Sequence, residues 1–128
     1  MNLEGVLLRE TVSRDPRAPS LVVFGRTAGR MDQVIRLLRD MGGASAYGSF
    51  SEAEALERIA TVPRLGAVLL GGGVDEASRR SIRDELARNH PGVLTSEPGQ
   101  QYPYSDENIV ADIRVKLEAQ RRHEERGR

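Results

Sequence analysis

Two uninterrupted apolar runs, Leu21-Val22-Val23-Phe24 and Ala67-Val68-Leu69-Leu70, are each followed by a loop and then by a segment whose apolar residues recur at helical spacing. Such a run leaves a strand no solvent-facing side, so it needs cover on both faces, which is the pattern of a strand inside a parallel sheet. The strand-loop-helix order recurs along the chain. Val34, Ile35, Leu38 and Met41 share one face of a predicted helix over Met31–Met41, which stops at Gly42-Gly43, where a left-handed C-terminal turn is easy. Ala44–Phe50 is a weaker second strand. Ser51-Glu52-Ala53-Glu54 has the form of a capping box and opens a helix predicted to bury Leu56, Ile59 and Ala60. A third strand over Leu65–Leu70 leads into Gly71-Gly72-Gly73 and a helix from about Asp75 to Arg88 that turns Ile82 and Leu86 inward. Pro91 bars that helix from continuing, and Val93-Leu94-Thr95 is a minimal fourth strand. Beyond Tyr102-Pro103-Tyr104, Ser105 opens a last helix with Ile109, Ile113 and Leu117 four apart. Strands alternating with helices imply right-handed crossovers and a parallel sheet covered on both sides.

At 128 residues the chain has the length of one domain, which buries about two-thirds of its unfolded surface only if nearly all of it serves one sheet. Three parts are read from the composition: an N-terminal extension over residues 1–20, the α/β domain over 21–120, and a densely charged tail over 121–128. The extension holds Gly5-Val6-Leu7-Leu8 and the turn-rich Asp15-Pro16-Arg17-Ala18-Pro19. No run approaches the ~18 apolar residues that span a bilayer, and no cleavable hydrophobic leader is visible, so the expectation is a cytoplasmic protein with no membrane association. Formal charge balances at zero, which leaves nucleic-acid binding unsupported. The chain has no cysteine, hence no disulfide, thiolate nucleophile or sulfur-ligated metal site. His90 and His123 share no ligand spacing, and Ser96 lacks a nucleophile-elbow signature. Neither a metal, a cofactor nor a catalytic residue is expected.

From Leu21 onward the layout resembles a response-regulator receiver domain. The resemblance implies a flavodoxin-like (CheY-like) three-layer α/β sandwich. It also exposes several departures from the family's chemistry. Receivers carry two acidic residues after the first strand, where this chain has Gly25 and Arg26, and a phosphoacceptor aspartate after the third, where it has Gly71. Thr95 matches the family's Thr or Ser at the end of strand four, and Tyr102-Pro103-Tyr104 echoes its Lys-Pro-aromatic stretch with Tyr102 in place of the lysine. Magnesium needs carboxylate oxygens and an acyl phosphate needs an aspartate nucleophile, so the resemblance implies a degenerate, non-phosphorylatable receiver. Asp75, as a predicted helix N-cap, is expected to be occupied with backbone N–H groups. The stretch from Thr95 to Tyr102 has no room for a further helix and strand. The sheet is therefore expected to be truncated to four parallel strands in the order 2-1-3-4, with Leu21–Phe24 as strand one. Its fourth strand would be an edge, covered by Met1 to Val12 or by pairing in a homodimer.

The expected function is accordingly a non-catalytic protein-interaction or regulatory module. The alternative is a small-ligand, nucleotide or anion sensor. Ligands of open parallel sheets bind beyond the carboxyl ends of the strands, and that rim is expected to gather Arg26, Thr27, Gly71, Gly72, Gly73 and Thr95, with Tyr47 near it. The glycines have two readings, a tight strand-to-helix turn or an anion cradle of backbone N–H groups. Tyr102 and Tyr104 likewise read either as core closure or as interface anchors.

Overall fold

The computed structural model describes residues 10–15, 17–97, 111, 113–115 and 118. Within them the chain runs β1 (Glu10–Thr11), β2 (Ser20–Phe24), α1 (Ala28–Met41), β3 (Ser45–Ser49), α2 (Glu52–Thr61), β4 (Leu65–Leu70), α3 (Glu76–Asn89) and β5 (Leu94–Ser96). Ala111, Ile113, Arg114, Val115 and Glu118 are also helical. The strands form one sheet in the order β1-β3-β2-β4-β5, in which β3, β2, β4 and β5 pair in parallel and β1 pairs antiparallel with β3.

The sheet is thus mixed and five-stranded, not the expected four parallel strands. Glu10 lies opposite Tyr47 and Thr11 opposite Ala46, a short pairing between backbones in which both residues of β1 are polar. Ser13 N–H donates to Ser45 Oγ at 2.9 Å, and the Glu10 carboxylate stands 3.6 Å from Arg58, whose guanidinium lies over the Tyr47 ring at 5.6 Å. These contacts put Glu10 and Thr11 at the edge opposite β5, so they do not cover the fourth parallel strand. The shortened crossover expected between Thr95 and Tyr102 falls mostly on residues 98–110, outside those described, as does the 121–128 tail.

Alternation along β2 and β4 divides the core into two apolar clusters. Leu21, Val23, Ala67 and Leu69 face α1 and Ile113, while Val22, Phe24, Val68 and Leu70 face α2 and α3. Ser20, which opens β2, is buried and its Oγ donates to Pro63 O; beyond it, helices on both faces explain why Leu21–Phe24 and Ala67–Leu70 carry no polar position. β3 does carry them: Ser45 and Ser49 are buried, and Ser49 Oγ donates to Val23 O at 2.9 Å, satisfying the hydroxyl inside the sheet.

Each helix boundary has a local cause. α1 starts at Ala28, three residues before the predicted Met31: Thr27 stands extended at the N-cap position without a side-chain capping bond, and its carbonyl accepts from Met31 N–H at 2.9 Å to close the first turn. It ends where Gly42 and Gly43 take φ of 73° and 79°, conformations that side chains with a Cβ rarely adopt. In α2 the Ser51 side chain accepts from Glu54 N–H, while the Glu54 carboxylate reaches back to Phe50 N–H at 2.6 Å. Ile59 is buried as expected and Leu56 half-buried against the core, but Ala60, expected inward, is exposed and Ala55 takes its place on the buried face. α3 is capped by Asp75 and closes at His90, whose N–H still donates to Leu86 O at 2.8 Å before Pro91.

Candidate functional site

Because β3, β2, β4 and β5 run in one direction, their carboxyl ends share a rim. From β2 the chain crosses to β3 on one side, and from β4 it crosses to β5 on the other. The order therefore switches between β2 and β4, where open α/β sheets leave a crevice. Two loops meet there, Gly25-Arg26-Thr27 after β2 and Gly71-Gly72-Gly73 after β4. Backbone bonds stitch them: Gly71 N–H donates to Phe24 O at 2.8 Å, and Gly25 N–H to Ser49 O at 3.0 Å. A Cβ on Gly73 would meet the Arg26 Cβ at 3.4 Å, so the glycine permits the loops to pack closely.

Beside this junction lies a cleft of about 320 Å³. Val23, Phe24, Met31 and Val34 supply an apolar lining, the two glycine-bearing loops form walls, and Arg26, Thr27 and Arg30 add the polar groups. Arg26 is held on three sides. Its Nη1 donates to Phe50 O at 3.3 Å, its Nη2 pairs with Asp75 Oδ1 at 3.1 Å, and its guanidinium lies 5.3 Å from the Phe24 ring centroid. Arg30 Nη1 donates to Gln33 Oε1 at 2.9 Å. Asp75 also accepts from Ser78 N–H, as an N-cap should; hydrogen bonding from Ser78, and then the Arg26 contact, hold its carboxyl below the ordinary 3.8.

Of the residues expected on the rim, Arg26, Thr27, Gly71, Gly72 and Gly73 surround this cleft. Thr95 does not. It pairs with Val68 inside β5, with Ser96 and Glu97 still to come, so its strand position is level with the sheet interior. Tyr47 is likewise in the middle of β3, opposite Val22, and is buried. Tyr102 and Tyr104 lie outside the described residues. His90 sits at the C-terminus of α3, away from the carboxyl rim. Among the described residues no three His, Asp or Glu side chains gather in a metal-binding arrangement.

Sequence reasoning missed Arg79. Its side chain is only 1% exposed, and its three donor nitrogens all find oxygen: Nε on Val74 O at 2.9 Å, Nη2 on Gly71 O, and Nη1 on Glu97 Oε1 at 2.6 Å. Arg83 shares the same carboxylate, with Nη2 on Oε1 at 2.7 Å and Nε on Oε2 at 3.2 Å. A buried cation thus ties the triglycine loop to α3 and to the residue after β5. The signal was present in the spacing, since Arg79, Ile82 and Leu86 fall on one helical stripe.

Comparison of the chain with known protein families, with curated proteins and with solved structures finds no match to any of them.

Proposed function

We propose that this chain is a non-catalytic, receiver-like regulatory module that acts through binding and not through phosphoryl transfer. The observation that carries the reading is the state of Gly71. Where a receiver would present its nucleophile, this chain has a glycine whose N–H is spent on Phe24 O, and an added Cβ would stand 3.3 Å from that oxygen. The cleft's described lining further supports the reading, since it holds no carboxylate-bearing residue of the kind that an acyl-phosphate acceptor or a magnesium site requires. Arg79 reinforces this state by holding Gly71 O and Val74 O from below.

In this reading the module has a truncated flavodoxin-like architecture and works in the cytoplasm as a homodimer that passes its signal to a separate protein. Support for self-association comes from β5, whose outer edge pairs with no strand among the described residues. Incubation with magnesium and a small-molecule phosphodonor, followed by intact-mass measurement, is expected to leave the mass unchanged; a stoichiometric, acid-labile phosphate adduct overturns the reading. Light scattering on the full chain tests the dimer, and a monomer across the working concentration range removes it.

A further inference from the structure

The cleft at the strand switch has a lining suited to one class of small molecule. Its volume of about 320 Å³ falls at the lower end of the ~300–1,000 Å³ typical of small-ligand sites. Val23, Met31 and Val34 make part of it apolar, whereas Arg26 and Arg30 bring positive charge with no carboxylate-bearing residue in the described lining. Arg26 is also pre-positioned. A guanidinium has five N–H donors, and Phe50 O and Asp75 each take one from Arg26, whose side chain stays 43% exposed.

We propose that this cleft binds a small organic carboxylate with an apolar body about the size of one ring. The body sits between the two glycine-bearing loops, over a cleft floor formed by the buried Val23, Met31 and Val34, and the carboxylate meets the Arg26 guanidinium in the planar geometry that the two groups share, with Arg30 on the same wall. An inorganic anion has no apolar body to bury against the cleft and would gain nothing from that part of its lining. A nucleotide would bring several negative charges to a mouth where Asp75 already stands. Asp75 is a built-in competitor, because its carboxylate holds one N–H of the arginine that the ligand needs. The inference rests on the reading of this rim as a binding site without phosphoryl chemistry.

Calorimetric titration of the full chain with 3-phenylpropionate, 3-phenylpropionamide, inorganic phosphate and adenosine monophosphate tests it. The carboxylate is expected to bind at least about tenfold more tightly than its neutral amide, since hydrogen bonds to charged groups are the stronger ones. Arg26→Gln and Arg30→Gln should each weaken it, the first by about tenfold. Asp75→Asn, which keeps a good helix cap and removes the competing charge, should tighten it. Thermal unfolding of each variant confirms that it is folded. No binding of 3-phenylpropionate to the folded wild type, equal binding of the amide, or tighter binding of phosphate or the nucleotide would overturn the inference. A null titration leaves the expected absence of a phosphate adduct untouched, whereas an adduct overturns the module reading whatever the titration gives.

Discussion

Gly71 N–H donates to Phe24 O at 2.8 Å, so the ends of the two central strands are bonded to each other at the mouth of the strand-switch cleft, the position to which the proposed receiver-like reading assigns the missing carboxylate. The bond needs close approach of the two backbones. Glycine permits that approach without displacing either strand, and any larger residue must push against the Phe24 carbonyl.

Under the proposed receiver-like reading, an aspartate introduced at Gly71 is expected not to create a phosphoacceptor. Gly71→Asp should destabilise the fold by about 1–3 kcal/mol through overpacking against Phe24 O, read by urea unfolding. It should also remain unmodified by a small-molecule phosphodonor with magnesium, read by intact mass. A stable, phosphorylated variant would show that the site needs only its nucleophile.

Arg79 and Arg83 touch the same carboxylate, but their burial separates them. Arg79→Met strands Gly71 O, Val74 O and part of Glu97 around a removed charge, and should cost about 3 kcal/mol in urea unfolding. Arg83 is 41% exposed, so Arg83→Met should cost no more than about 1 kcal/mol. Equal losses from the two would contradict the assignment of Arg79 as the buried tie.

Acid should loosen the same junction. Burial pushes the Glu97 carboxyl up, but hydrogen bonds from Arg83 and Arg79 outweigh it and hold the group below its ordinary 4.5. A carboxyl depressed in the folded state adds stability that is complete above its unfolded-chain pKa and is lost as pH falls through its folded value. The Tm of the wild type should thus decline on acidification below about pH 4.5, and Glu97→Gln should show a lower Tm near neutrality with a shallower acid decline. Parallel profiles for the two proteins would show that Glu97 carries none of this dependence.

Two glycines at opposite ends of α1 should respond with opposite signs. Gly43 holds a φ of 79°, so Gly43→Ala should destabilise by about 1 kcal/mol although the space around it is open. Gly29 lies in the first turn of α1 with no positive φ and nothing near its missing Cβ, so Gly29→Ala should stabilise by about 0.5–1 kcal/mol. Thermal unfolding of both variants checks the signs.

The parts of the fold legible in the chain were those whose cause is local. Leu21–Phe24 and Leu65–Leu70 announce strands buried on both faces because such burial must show in composition, and Ser51, Asp75 and Gly42-Gly43 mark helix ends through bonds to neighbours a few residues away. The strand-end loops around Gly25 and Gly71 followed from the same logic, since parallel strands must bring their carboxyl ends together. Thr95 was misplaced at the rim because a three-residue strand gives no register of its own; its level is set by pairing with β4.

Tertiary structure alone decided the rest. Glu10-Thr11 becomes a strand only because β3 offers it an edge, and Ser49 can be buried only because Val23 O accepts its hydroxyl. In the sequence Arg79 is one arginine among many. It becomes the buried tie beneath the triglycine loop because Gly71, Val74 and Glu97 supply oxygens from two loops at once. A buried charge is stable only when partners surround it, and partners drawn from separate segments exist only after the chain has folded.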